Sequence, residues 1–382
     1  MAYETLPKRL GTHLDRLMAT EVTRSNSVLV LNAGSSTLKF AAYADDQLIG
    51  HGVLGVENGY QTAVAAMFAK VDVQHPVLVA HRVVHGGVSF IEPTIVTTKV
   101  TEELERIVGL APLHQKPALE VMKTITSMLP TTTQVACFDT SFHSTLPMSE
   151  KRLPIPRHFF DQGIRRYGFH GLSYQSIASQ LTPISERAAK GKTIVCHLGS
   201  GSSLCGLENL QSRYTTMGLT PLDGLMMGTR SGRIDPGFVF YLLNQGQSVA
   251  EIEQLLNKQS GLTGVSQLSG DMKALLASSS EAAAEAVDMY CRSVAKEIGS
   301  AMVALEGIDA IVFTAGIGEN CPSVRQKIVD CLRFLGISIN STANLQNRLT
   351  LHSDSSRTQV FCIPTDEQQV IHELVKPFHI KK

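Results

Sequence analysis

One pattern occurs twice in this chain and restricts its fold more than any other feature. The apolar run Ser27–Leu31 leads into Asn32-Ala33-Gly34-Ser35-Ser36, and Thr193–Leu198 leads into Gly199-Ser200-Gly201-Ser202-Ser203. Each reads as a strand that ends in a tight turn. One copy opens each half of the chain, which predicts an internal duplication. A third strand and glycine turn follows at Ala310–Asn320, with Gly316 and Gly318. Helical patterns at Val100–Leu110, Pro117–Met128 and the Ala-rich Glu281–Leu305 lie between these events. Strands alternating with helices predict an α/β architecture, and 382 residues allow two domains.

Charge narrows the function. The chain carries 34 Lys plus Arg against 34 Asp plus Glu, so no global basic field favours nucleic acid or a membrane surface. Its seven cysteines are scattered, with no C-x-x-C pair. A disulfide framework and a zinc ribbon are therefore disfavoured, and a reducing cytoplasm is expected. No apolar run is long enough to span a bilayer. Residues 1–26 interleave charges with leucines, lack the apolar core of a secretory signal, and read as a short amphipathic extension.

Glycine and serine turns after strands present backbone N–H groups to an anion, and serine hydroxyls add donors. Three such turns in one chain suggest a nucleotide with several phosphates. The common alternatives fail. Gly191-Lys192-Thr193 resembles the end of a Walker A loop, but Glu186 stands where its first glycine belongs. Leu204 stands where the dinucleotide fingerprint needs a third glycine after Gly199 and Gly201.

Candidate site residues occupy unusual settings. Val77–Gly87 reads as a strand carrying Arg82 among valines. A guanidinium there calls for an anionic partner, either a ligand or a structural carboxylate. Alternation puts His81 and His85 on the opposite face, about 13 Å apart, too far to share one ion. Arg230 lies in the glycine-flanked turn Met226–Gly232, open to anion binding or to a plain surface turn. His170 lies between glycines in Arg165–Gly171, suited to charge stabilisation. His114 and His197 mark a helix start and a strand end, where sites gather. Asp139 and Glu367 follow apolar stretches; each suits a Mg²⁺ site or an ordinary helix cap.

These segments, in this order, resemble the acetate kinase family, on LNAGSSTLKF, AHRVVHGG, LAPLHQKPA, FDTSFH, RRYGFHG, HLGSGSS, TPLDGLMMGTRSG, FTAGIGEN and IPTDEQ. The resemblance implies a two-domain, duplicated RNase H-like (actin-like ATPase) fold of βββαβαβα units with nucleotide in a central cleft. It implies domain I at 27–145 plus 369–382 and domain II at 146–368. It implies reversible phosphoryl transfer from ATP to acetate, giving acetyl phosphate and ADP, with Mg²⁺ (or Mn²⁺), in a homodimer. By motif, the catalytic roles fall on Arg82, Asp139, His170 and Arg230. Arg82 and Arg230 also bind the carboxylate, and Val84, Leu113, Phe169 and Pro221 form the acyl pocket. Nucleotide contacts fall on Lys39, His197, Gly199, Ser200, Gly201, Asp271, Met272, Lys273, Gly316, Ile317, Gly318, Glu319 and Asn320. Asn32 lies near the transferred phosphate and the metal, and Glu367 holds the metal.

The chain departs from the family pattern at several places. Ser200 stands for a usual Asn, Lys273 for a frequent Arg, Thr37 for Ser, and Leu172 and Tyr174 for Thr and His. Tyr214 and Arg233 each replace an acid. Most changes fall on the nucleotide side, which keeps two other readings open: a nucleotide-binding module without catalysis, and a pyrophosphate-dependent kinase. Propionate is a further candidate substrate, because one methylene alters discrimination by only about 1–3 kcal/mol.

Overall fold

The apolar run that opens the first half becomes a fully developed strand, β1 (Ser27–Ala33), buried on both faces at nearly every position. The computed structural model describes residues 27–379 apart from 72, 74 and 75. The expected N-terminal extension, residues 1–26, lies outside them. After β1 come β2 (Thr37–Ala44) and β3 (Gln47–Gly55), both antiparallel to their predecessors. The helix Tyr60–Lys70 then leads to β4 (Leu78–Val83), which pairs parallel with β1. A two-residue strand β5 (Thr94–Ile95) and the helices Thr98–Arg106 and Pro112–Met128 precede β6 (Thr133–Phe138), parallel to β4.

The second half repeats this plan. Strands β7 (Lys192–Leu198), β8 (Ser202–Glu208) and β9 (Gln211–Thr215) form an antiparallel meander. Then β10 (Ala310–Thr314) and β11 (Gln359–Cys362) add in parallel. Among the described residues the sheets read β3-β2-β1-β4-β6-β5 and β11-β10-β7-β8-β9. With the edge strand β5 set aside, both have one order: third, second, first, fourth, fifth strand of the repeat. The duplicated RNase H-like fold expected from the sequence is thus present strand by strand.

The chain divides into two compact units, one through Val84 with Glu92–Phe138 and from Gln368 on, the other His85–Ile91 with Asp139–Glu367. These bounds differ from those drawn on the sequence, which kept residues 139–145 with the first domain. The 3₁₀ turn Ser141–Thr145 bonds to β9 instead: His143 Nδ1 lies 2.8 Å from Ser212 Oγ, and Thr145 Oγ1 donates to Ser212 O at 2.9 Å. The helix after the fifth strand of each repeat is exchanged. Gly171–Ile184 belongs to the second unit and Gln368 onward to the first.

Each unit has its own core. In the first, Leu29, Leu31, Phe40, Val64, Met67 and Ile125 pack between the sheet and its helices. In the second, the helix Glu281–Leu305 lays Ala283, Val287, Tyr290, Val294, Ile298 and Leu305 against the sheet, the stripe its sequence period predicted. Among the described residues no helix is long and apolar enough to cross a membrane.

Two local expectations change. The Arg82 strand stops at Val83, so His85 lies beyond it, with His85 Nδ1 accepting from Gly87 N at 2.9 Å. The glycine segment after β10 is a short helix, Ala315–Asn320, not an open loop. The Glu319 carboxylate accepts from Ala315 N at 2.8 Å, satisfying a first-turn N–H that the helix cannot satisfy itself.

Candidate active site

In the second unit, three segments remote in sequence meet at one glycine. Residues 199–201 join β7 to β8, and Gly199 N donates to Gly201 O at 3.1 Å. A Cβ placed on Gly201 would sit 3.4 Å from His170 Nε2 and 3.7 Å from Arg230 Nη1. The imidazole and the guanidinium therefore flank the same stretch of bare backbone.

His170 is held by an unusual backbone. It takes φ 56 and ψ 23 just before the helix Gly171–Ile184, the left-handed region where side chains are disfavoured. Its ring stacks on His197 at 4.1 Å, and Nδ1 lies 2.8 Å from Ser203 Oγ. Ser203 Oγ also bonds the hydroxyl of Tyr174, whose burial raises its pKa well above the usual value and keeps the phenol protonated. His197 is fixed in turn, with Nδ1 2.8 Å from Ser173 Oγ. The glycines around His170 are structural requirements. Gly168 takes φ 75, and a Cβ on Gly171 would lie 1.8 Å from the Asp139 carbonyl oxygen. The Cβ is fixed rigidly to the backbone and the oxygen is itself backbone, so no flexible group can yield. Gly171→Ala is expected to cost more than about 2 kcal/mol and to displace Asp139; an unchanged urea midpoint would refute this.

Arg230 projects from a loop that is pinned throughout. Gly228 N donates to Ser200 O at 3.0 Å, Met227 N to Arg230 O at 3.1 Å, and Leu262 N to Met227 O at 2.9 Å. Arg230 Nη1 donates to Pro221 O at 3.2 Å. Burial pulls the arginine pKa below its ordinary value, a desolvation cost that a bound anion offsets.

Asp139, 1% exposed, follows β6, and Glu367 opens the helix Glu367–His379. Phe169 is buried and packs edge-on against His85 at 5.4 Å. Its carbonyl lies 3.0 Å from His143 Nε2, which must be the donor because a carbonyl only accepts. Desolvation lowers the His143 pKa to about 4, so the ring is neutral, and Nδ1 accepts from Ser212.

Serine use in the second turn differs from the sequence expectation. Ser202 Oγ bonds Tyr290 OH at 2.9 Å and Ser203 faces His170, so both hydroxyls are spent inside the fold. Ser200 is the exposed serine of that turn. Among the residues that the sequence assigned to the nucleotide, Met272 is buried in the core and Lys273 is exposed. Asp271 caps the helix Met272–Leu276 by accepting from Ala274 N at 2.8 Å. Gly316 and Asn320 are exposed, while Ile317 and Gly318 are buried. Glu319 also accepts from Thr365 N at 3.2 Å and so ties the segment after β11 to the end of β10.

In the first unit, Arg82 Nη1 donates to Asn32 Oδ1 at 3.3 Å across the neighbouring strands β1 and β4. Lys39 stands opposite Asn32 in the β1–β2 register and is exposed, and Val84 is 8% exposed. His81 is structural: Nε2 bonds Gln134 Oε1 at 2.8 Å, and burial lowers its pKa to about 4. Leu113 falls in the first turn of Pro112–Met128, its side chain outside the described residues. His114 is in the same turn.

Several residues escaped the sequence reading. Tyr174 and Ser203 are the supports of His170, visible beforehand only as a family departure and as one serine of a turn. Arg325 is 0% exposed and braces Gly318 and Glu319. The signal was a lone arginine among Val324, Ile328 and Val329.

The profile of the Acetokinase family matches residues 52–373. An acetate kinase of Rhodopseudomonas palustris (strain TIE-1) is 41% identical over 385 residues, covering 91% of this chain and 97% of that protein. The crystal structure of a propionate kinase from Francisella tularensis subsp. tularensis SCHU S4 superimposes with TM-score 0.84 at 34% identity, covering 91% of this chain and 98% of that one. The crystal structure of acetate kinase from Entamoeba histolytica gives TM-score 0.83 at 33% identity, covering 92% and 99%.

Proposed function

Because the chain belongs to the acetokinase family, we propose that it is an acetate kinase that transfers the terminal phosphoryl group of ATP directly to acetate, giving acetyl phosphate and ADP. The observation that carries this reading is the convergence of His170 and Arg230 on the bare backbone at Gly201. Phosphoryl transfer needs positioning and neutralisation of charge on the equatorial oxygens, not covalent help. A guanidinium and an imidazole N–H beside backbone amides supply both.

We assign the Tyr174 hydroxyl proton to the bond with Ser203, and the Ser203 proton to the bond with His170 Nδ1. That leaves the proton on Nε2, the nitrogen nearer Gly201. His170 is then a hydrogen-bond donor to the moving phosphoryl group without needing to ionise. Arg230 pairs with the same oxygens and with the acceptor carboxylate. Arg82, steadied by Asn32, is assigned to that anion as well. The acceptor is already ionised at neutral pH, so no general base is required. The acyl group is assigned to Val84, Leu113, Phe169 and Pro221.

Glu367 and Asp139 would hold Mg²⁺; carboxylate oxygens are the hard donors it takes, and one or two suffice because it keeps several waters. When bound, the ion neutralises phosphate charge on the nucleotide. Asn32 is better used as the support of Arg82 than as a ligand, since its Oδ1 already accepts from the guanidinium. The nucleotide is assigned to the exposed edges of residues 199–201, 271–273 and 316–320, with Lys39 contributing a cation. Family membership likewise supports a cytoplasmic homodimer.

A hydroxamate assay with acetate, propionate and butyrate, each with ATP, GTP or pyrophosphate, tests the assignment. Acetate with ATP is expected to give the highest kcat/KM, with propionate about 10-fold or more behind. Activity with pyrophosphate alone would overturn the donor, and a propionate preference would overturn the acceptor.

A further inference from the structure

The second unit contains a cavity of about 710 Å³ on which the proposed chemistry makes no claim. Its volume falls within the range of small-molecule sites. One wall is a stripe of the helix Glu281–Leu305 that includes Met289, Arg292, Ser293 and Lys296. Arg292 and Lys296 are one turn apart and exposed. Like charges so spaced on a helix repel. A third cation, Arg233, also lines the cavity. The acid there, Glu297, is already matched: Arg233 Nη1 donates to it at 2.8 Å and Tyr214 OH at 2.7 Å. The remaining field is positive. Met226, Val265 and Ile234 add apolar surface.

Other lining residues belong to the Arg230 loop and to the segment packed on it. Ser231, Ser260 and Gly261 line the cavity, and the same backbone runs through Arg230. Ser260 N donates to Thr229 O at 3.0 Å. Gly261 takes φ 60, and a Cβ there would lie 2.2 Å from Met227 O and 2.6 Å from Arg230 O. Displacement of residues 260–261 is therefore passed directly to the backbone that carries Arg230.

We propose that this cavity is an effector site for a small organic anion, a carboxylate or phosphate on an apolar body, whose occupancy is felt at Arg230. The anionic head pairs with Arg292 and Lys296, and the apolar body rests on Met289, Met226 and Val265. The binding claim stands apart from the kinase reading; the coupling claim rests on it.

Calorimetry on the full chain with hexyl phosphate tests the site, using wild type and the Arg292→Ala/Lys296→Ala double variant. Hexyl phosphate is expected to bind wild type and to lose at least tenfold in Kd in the double variant. Inorganic phosphate is expected to bind more weakly, for want of the apolar body, and hexanoate separates a carboxylate source from a phosphate one. Equal Kd in both proteins, or no binding to wild type, overturns the site. For the coupling, hexyl phosphate is expected to shift the KM for the carboxylate at least twofold in wild type and not in the double variant, whose own kcat and KM stay at wild-type values. Tight binding with no KM shift overturns the coupling, whereas an inactive wild type that still binds hexyl phosphate overturns the kinase reading and leaves the site.

Discussion

Arg230→Ala is expected to lower kcat by at least about 10³-fold, the scale on which arginines act in phosphoryl transfer, with little change in melting temperature. The asymmetry follows from the setting of the residue. Its loop is pinned by backbone bonds at Met227, Gly228 and Thr229, none of which uses the guanidinium. The side chain itself donates to Pro221 O and pays a desolvation cost that depresses its pKa. Removing it thus relieves a buried charge and takes a donor from Pro221 O and Met227 Sδ, effects that oppose each other. On the proposed function the loss in the transition state is one-sided, because the phosphoryl oxygens would lose a planar cation facing them. Arg230→Lys is expected to recover little, since an ammonium cannot donate from two parallel nitrogens. Steady-state kinetics beside thermal melts check both. A kcat within tenfold of wild type in the alanine variant would remove Arg230 from the chemistry.

The parts of this protein that were legible in the sequence are those where information is local. Strands β1 and β7 were visible as apolar runs because both of their faces are buried, and the turns after them because glycine and serine are common turn residues. The helix Glu281–Leu305 was legible to the residue, since its buried stripe repeats over its whole length. The pair of glycines around His170 was visible, and their cause is now plain: one adopts positive φ and the other sits against a carbonyl. What stayed hidden depends on contacts remote in sequence. Nothing local tells that Ser202 turns to Tyr290 while Ser200 stays exposed. The exchange of the helices after β6 and β11 could not be read from pattern, because either helix suits either sheet; only the family resemblance implied it, by setting 369–382 with the first domain. Asp271 illustrates the ambiguity of a single acid: the aspartate assigned to the nucleotide also serves as a helix cap.

Arg325 braces the helix Ala315–Asn320, which the proposed function assigns to the nucleotide. Its guanidinium has five N–H groups, and all five are used. Nε donates to Asn344 Oδ1 at 2.8 Å, Nη1 to Gly318 O at 2.7 Å and Glu319 O at 2.9 Å, and Nη2 to Asn344 O at 2.7 Å and Asn347 Oδ1 at 2.6 Å. Burial pulls its pKa below the ordinary arginine value, so the charge is itself a cost. The bonds outweigh that cost: a methionine of similar length would take a donor from five acceptors, of which Asn344 O keeps Asn347 N at 3.1 Å, at about 1–3 kcal/mol for each left bare where water cannot reach. Arg325→Met is therefore expected to lower unfolding free energy by at least about 3 kcal/mol, even after the relief of the buried charge. Arg325→Lys should fare scarcely better, having three donors on one atom. Because two of the lost bonds hold the carbonyls of Gly318 and Glu319, the helix Ala315–Asn320 should loosen first. In whatever fraction stays folded, the KM for nucleotide should rise more than the KM for the carboxylate. Urea unfolding with paired substrate titrations measures both effects; a loss under 1 kcal/mol, or equal rises in the two KM values, would show that the helix is held by something other than this guanidinium.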